Sequence, residues 1–184
     1  MAQAHSSIIV TTVAVDTRTR DTLQFPFLAR PQSLTVYVRF VELDALTANT
    51  ALRGILQVGS VNSTNPRLTL YWQPSAYTLL FGNGITAAST VGNSSAAVNT
   101  GDTIELRAIL PATGAAQLGT TVNGGAETVS SAMSARLLPP AWTTNAILFN
   151  AFDTTSQGHI AYRNVEIMAG VRTLQEMRRR ASVE

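Results

Sequence analysis

Glu42 and Asp44, in the segment FVELDAL, come nearest to an acid pair in this chain. On an extended strand, residues two apart share a face and lie about 7 Å from each other. Hydrolysis of a glycosidic bond needs two carboxyls flanking that bond, so this spacing is the first to test for catalysis. Both residues sit at the end of an alternating run beside polar loop residues. The reading adopted is a pair of solvated strand-end charges.

Other routes to chemistry are thinner. His5 lies near the amino terminus and His159 opens a strand, and nothing in the sequence brings the two together, so each reads as an ordinary surface or edge residue. A calcium ion would need several oxygens from one region. The DTTSQG segment supplies a single carboxylate, Asp153, and Asp102 sits on another turn. Serines abound, but no Gly-x-Ser-x-Gly elbow occurs. Cysteine is absent, which excludes a disulfide framework, a thiolate metal site and a cysteine nucleophile together. The glycine-bearing segments GNG (82 to 84) and NGG (123 to 125) precede no helix, so they lack the terminus that cradles phosphate. In TTVNGGAET, Asn-Gly and Gly-Gly supply the positive φ of a tight hairpin, and alternating residues flank them on both sides. No catalytic residue, cofactor site or metal site is expected, and the chain is not read as an enzyme.

Two sets of side chains suit binding. Tyr37, Arg39, Tyr71 and Gln73 fall on non-core positions of two strong strand patterns and combine aromatic, amide and cationic groups, the makings of a glycan or partner face. Against this, aromatic residues in strands usually pack, and Trp72 and Phe81 are assigned to the core. Arg178, Arg179 and Arg180 lie at the carboxyl end of a short helix, where the macrodipole favours cations. Beyond that local role they could dock on acidic groups of a neighbouring subunit.

The elements that must position these residues are mostly strands. In SLTVYVRFVELD, Leu34, Val36, Val38 and Phe40 share one face while Thr35, Tyr37 and Arg39 share the other, which is a strand with one buried face. Further strand patterns are SIIVTTVAV, LRGILQVGS, PRLTLYWQ, AYTLLFG, DTIELRAIL, AAQLGTTV, ETVSS, NAILFNAF and HIAYRNVEIM. The stretches between them, NSTNP, QPS, GNG, GNSS, NTG, PATG, NGG and DTTSQG, carry turn chemistry. LLPPAW (137 to 142) reads as a long crossover between strands. Many short strands with no interleaved helix predict an all-β, antiparallel two-sheet sandwich or jelly roll over residues 1 to 172. Residues 173 to 184 form a short basic helix and tail. Thr173 and Glu176 make a capping box, and Leu174 and Met177 can press one edge of the helix on the sheet.

The strand HIAYRNVEIM running into Thr-x-x-Glu-Met resembles the closing elements of laminin-G-like, concanavalin A-like domains. GDTIELRAIL, PATG and AAQLGTTVNGG are similar to the central hairpin of that family, so the resemblance covers about residues 100 to 175. It implies a two-sheet jelly roll, in a family of lectins, glycanases, adhesion modules and small virion proteins of tailed bacteriophages. The glycanases of the family carry a Glu-x-Asp-x-Glu pattern, and here the third acidic position is Leu46. GDTIELRA, NGGAE and the short length look most like the phage members. The expectation is a non-enzymatic structural protein decorating a capsid or attached to a tail. Its partners would be capsid or tail proteins of the same particle and its own copies in a homo-oligomer. The alternatives are a lectin-like module for host-surface glycans and, third, a glycan hydrolase.

Charge and hydropathy agree with that expectation. All 13 basic residues of the 184 are arginine and the net charge is +2, so no dispersed basic surface for nucleic acid is indicated. No run approaches the roughly 20 apolar residues that span a bilayer, and the first residues lack the charged and apolar regions of a secretory signal. Synthesis in a host cytoplasm and residence in the virion, without membrane insertion, is the expected location.

Overall fold

The computed structural model describes residues 22–24, 33–47, 52–59, 66–73, 75–83, 89–94, 98–112, 115–131, 145–148 and 160–181. These form eleven strands and one helix: β1 (Thr22–Gln24), β2 (Leu34–Glu42), β3 (Arg53–Gly59), β4 (Pro66–Gln73), β5 (Ala76–Asn83), β6 (Ser89–Ser94), β7 (Thr103–Leu110), β8 (Gln117–Val122), β9 (Thr128–Val129), β10 (Asn145–Leu148), β11 (Ile160–Ala169) and α1 (Leu174–Ala181). One sheet has the order β1-β10-β3-β4-β5-β6 and the other β11-β2-β7-β8-β9, and the named pairs within both are antiparallel. The expected all-β, two-sheet sandwich with a short carboxyl-terminal helix is therefore the observed architecture.

Alternation explains the layering. Leu34, Val36, Val38 and Phe40 of β2 stand beside Leu110, Ala108, Leu106 and Ile104 of β7 in register, and all eight side chains are buried. They meet Leu56, Leu68, Leu70, Trp72, Tyr77 and Leu79 of the opposite sheet. Tyr77 packs edge-on against both Phe40 and Trp72, with ring centroids 6.1 and 5.1 Å away, the geometry that aromatic quadrupoles favour. Trp72 is thus a core residue as expected. Phe81 lies in β5, but its side chain falls outside the described residues.

Two local features differ from the sequence reading. Gly92, Asn93 and Ser94 belong to β6 rather than to a turn. Glycine weakens a strand interior, and β6 is the last strand of its sheet, where such a loss is tolerated. The pairing of β11 with β2 also shifts register between Tyr162 and Asn164, so Arg163 is an extra residue that reverses the alternation. Consequently Tyr162 faces the core while Asn164 and Glu166 share the outer face with Arg39 and Tyr37. The SIIVTTVAV pattern and the LLPPAW crossover lie outside the described residues.

Candidate functional site

Glu42 is not a solvated strand-end charge. It continues the core-facing series of Leu34, Val36, Val38 and Phe40, is only 3% exposed, and accepts a hydrogen bond from the Tyr77 hydroxyl across the two sheets at 3.1 Å. Burial pushes its carboxyl up to about 8. The Tyr77 bond and the nearby Arg53 oppose that rise but do not overcome it. The Tyr77 hydroxyl is itself driven up by burial and by Glu42. Asp44 instead turns outward and pairs with Arg53 at 3.2 Å. One acid of the Glu42/Asp44 spacing is therefore an inter-sheet tie and the other a surface ion pair. Leu46 is buried and makes an isolated bridge with Val98.

Tyr37, Arg39, Tyr71 and Gln73 do not form one face. Tyr37 and Arg39 stand on β2 and Tyr71 and Gln73 on β4, which belong to different sheets. Alternation places Tyr37 correctly on the outer side of its strand, yet the residue is fully buried because α1 crosses that side. Its hydroxyl donates to Glu105 at 2.6 Å. Burial first, then the bond to Glu105, raises the phenol well beyond its ordinary range. Tyr71 is also buried, whereas Arg39 is exposed and Gln73 partly so.

The outer side of the β11-β2-β7-β8-β9 sheet carries a connected polar network. Glu105 sits between Arg39 and Thr121 in register, accepts from Tyr37, and receives Arg178 of α1 through Nε at 3.0 and 3.1 Å and through Nη2. Burial alone would raise the Glu105 carboxyl, but the bonds from Arg178 and Tyr37 outweigh it and hold the group below its usual range. The same contact raises the Arg178 guanidinium. Arg107 on the neighbouring row makes a two-bond fork with Glu127, at 2.7 and 2.8 Å, and donates to the Arg172 carbonyl at 2.9 Å. Glu127 reaches Arg107 by passing over Gly119, where any Cβ would overlap its carboxylate.

The carboxyl-terminal segment is fastened step by step to this network. Beyond β11, Gly170 adopts a positive φ of 88° and its N–H reaches the Ser33 carbonyl at 2.9 Å. Thr35 Oγ1 donates to the Gly170 carbonyl and accepts from the Arg172 N–H, at 2.8 and 2.9 Å. The capping box forms as expected: the Thr173 N–H donates to Glu176 at 2.7 Å and the Glu176 N–H to Thr173 Oγ1 at 3.2 Å. Met177 is fully buried, and Arg180 pairs with Glu166 at 3.4 Å. Arg178 and Arg180 thus bond to acids of their own chain, while Arg179 lies along the helix with Nε 3.4 Å from the Gln175 carbonyl.

The NGG segment is a turn with a second attachment. Asn123 and Gly124 both have positive φ, 50° and 72°, and the Gly125 N–H closes the turn on the Val122 carbonyl at 3.0 Å. Asn123 Oδ1 accepts from the Thr103 N–H and its Nδ2 donates to Asp102, each at 2.8 Å. The other Asp102 oxygen takes the Asn99 N–H, and these bonds hold the Asp102 carboxyl below its usual range. Among the described residues no group of three or more His, Asp or Glu side chains is placed to hold a metal ion. His5, His159 and Asp153 lie outside them.

Sequence reasoning missed Tyr77, Glu105, Arg107 and Glu127 as the partners that organise these regions. Glu105 and Arg107 did leave a signal: in TIELRAIL they alternate with apolar residues and so had to share the outer face.

No family model matches the chain, and no match to a curated protein was found. Solved structures of similar fold are numerous. The binding domain of botulinum neurotoxin DC in complex with SialylT aligns at a TM-score of 0.65 with 8% identity, over 96% of this chain and 44% of that one. Domains LG4-5 of the mouse laminin alpha1 chain align at 0.59 with 12% identity, over 90% and 46%. Tailspike protein 2 of the Escherichia coli O157:H7 bacteriophage CAB120 aligns at 0.58 with 16% identity, over 85% and 22%. The protein spans less than half the length of each. Its fold is the concanavalin A-like jelly roll that these structures share.

Proposed function

We propose that this protein is a non-enzymatic structural component of a tailed-phage particle, decorating the capsid or attached to the tail through protein interfaces. The observation that carries the non-enzymatic part is the commitment of the candidate acids. Glu42 ties the two sheets together through Tyr77, Glu105 and Glu127 hold α1 and the β7-β8-β9 region, and Asp44 pairs with Arg53. A glycosidase needs opposed carboxyls free to act on a bond between them. The virion assignment is supported by the likeness of GDTIELRA and NGGAE to small phage proteins and by the recurrence of the fold in a tailspike. On this reading the protein is made in the host cytoplasm and carried in the virion on symmetric sites as a homo-oligomer, with capsid or tail proteins as partners. Quantitative mass spectrometry of purified particles tests it, the expected result being a fixed copy number per particle.

A lectin-like role is the second reading, favoured by the neurotoxin binding domain seen with SialylT. Tyr37 and Tyr71 are buried, so a surface glycan site would depend either on Arg39 of one sheet or on Gln73 of the other. A glycan array signal lost on Arg39→Ala or Gln73→Ala would favour this reading over the first.

A further inference from the structure

We infer that the α1-covered outer face of the β11-β2-β7-β8-β9 sheet docks an acidic protein surface, through the exposed and half-buried arginines gathered around the buried Glu105. The inference rests on the structural role proposed above and supplies the chemistry of its interface. Two ion pairs on this face are segregated by depth, whereas in the Arg107–Glu127 pair the cation is the deeper partner, 9% exposed against 18%. In those two pairs the acids lie low: the side chain of Glu105 is 5% exposed and that of Glu166 18%. The cations bonded to Glu105 and Glu166 rise above them, with Arg178 at 35% and Arg180 at 44%. Arg39 and Arg163 are exposed on the adjoining β2 and β11 strands, and Arg179 on the helix. A partner approaching from solvent therefore meets more guanidinium groups than carboxylates, although Glu176 of α1 is partly exposed as well and the layer is mixed in sign.

Donor capacity remains for that partner. Arg178 uses Nε and Nη2 on Glu105, which leaves Nη1 without a hydrogen bond among the described residues. Arg39 stands next to Glu105 and Asn164 in register, yet makes no hydrogen bond or ion pair among the described residues. Both arginines act on the one Glu105 carboxylate, Arg178 through its bonds and Arg39 through its nearby charge, and only Arg178 is held at a fixed position. Guanidinium donors match the carboxylates of Glu and Asp, and Arg178, already ordered by Glu105, loses little further freedom on binding through Nη1. The face already pairs its arginines with glutamates in this geometry, and a partner's acids would extend the same pattern outward.

Binding of the full chain to fluorescent poly-L-glutamate at low salt tests the inference, with sialyllactose and a DNA duplex as parallel probes. Poly-L-glutamate is expected to bind best and to weaken as salt rises. The double variant Arg39→Gln/Arg179→Gln should lose at least about fivefold in affinity while its melting temperature stays close to that of the parent, because both side chains are exposed. Arg53→Gln, on the Asp44 ion pair at the end of β2, should leave binding unchanged. Tighter binding of sialyllactose or DNA, or an unaltered double variant, would overturn the inference. If poly-L-glutamate binds as expected while particles lack the protein, the virion reading fails and the acidic-partner inference stands. If particles carry the protein but it does not bind poly-L-glutamate, the virion reading stands and the acidic-partner inference fails.

Discussion

Arg178 and Glu105, separated by 73 positions in sequence, fasten the carboxyl-terminal helix to the sheet through contacts to both carboxylate oxygens. The Tyr37 hydroxyl shares the same carboxylate from below. A helix of eight residues is too short to be stable alone in water, so tertiary contacts must hold it. Here one buried methionine and a chain of charge-assisted bonds do so.

Removing the Arg178 side chain should therefore release α1 and not the sandwich. Arg178→Ala is expected to cost about 1.5–3 kcal/mol, the usual range for a hydrogen bond to a charged group with its acid left behind. Hydrogen exchange should quicken over residues 173 to 181 while β2 and β7 stay protected. Glu105→Gln should reproduce the release. Glu105 has a lowered carboxyl, so its stabilisation is present above the ordinary carboxylate range and is lost as pH falls through the lowered value. Acid should loosen the helix.

The buried Glu42 gives the opposite pH dependence. Its carboxyl is raised from 4.5 to about 8, so its contribution is complete below about 4.5 and is lost as pH rises to about 8. Glu42→Gln keeps a polar group opposite Tyr77 without the charge. The difference in unfolding free energy between variant and parent should be small at pH 4. It should then grow in favour of the variant with a slope approaching ~1.4 kcal/mol per pH unit and level off above about pH 8. A variant less stable than the parent at pH 8 would show that the ionised carboxylate is the form the fold prefers.

Gly119→Ala should destabilise by about 1–3 kcal/mol through overpacking against Glu127, whose carboxylate would have to leave Arg107. Pairing the substitution with Glu127→Ala should remove most of that penalty in a double-mutant cycle. Strictly additive effects would mean that the two side chains do not compete for space.

Asn123 separates conformation from side-chain bonding. Asn123→Gly keeps the positive φ but loses the bonds to Thr103 and Asp102, at a cost of about 1 kcal/mol. Asn123→Ala adds the strain of a left-handed non-glycine residue, roughly another 1 kcal/mol. Chemical denaturation of both should rank alanine below glycine.

Strand positions and the NGG turn were legible because alternation and turn chemistry are local. The same alternation put Tyr37 on the outer side of β2, but it counts faces and cannot count layers, and α1 forms a further layer. Glu42 was readable in principle, since it shares parity with Phe40; its place beside polar loop residues drew attention away from that. The partners of Arg178 and Arg180 were not readable, because pairing with Glu105 and Glu166 depends on strand order. Arg163 shows a further limit: one inserted residue exchanges the faces of everything after it, and nothing in AYRNVE marks which residue is extra.

The central claim, a structural protein of a phage particle, is tested most directly by measuring its copy number in purified virions. A constant stoichiometry across preparations is predicted, at a value compatible with a symmetric site. Absence from virions, with the protein recovered only from the soluble fraction of infected cells, would contradict it.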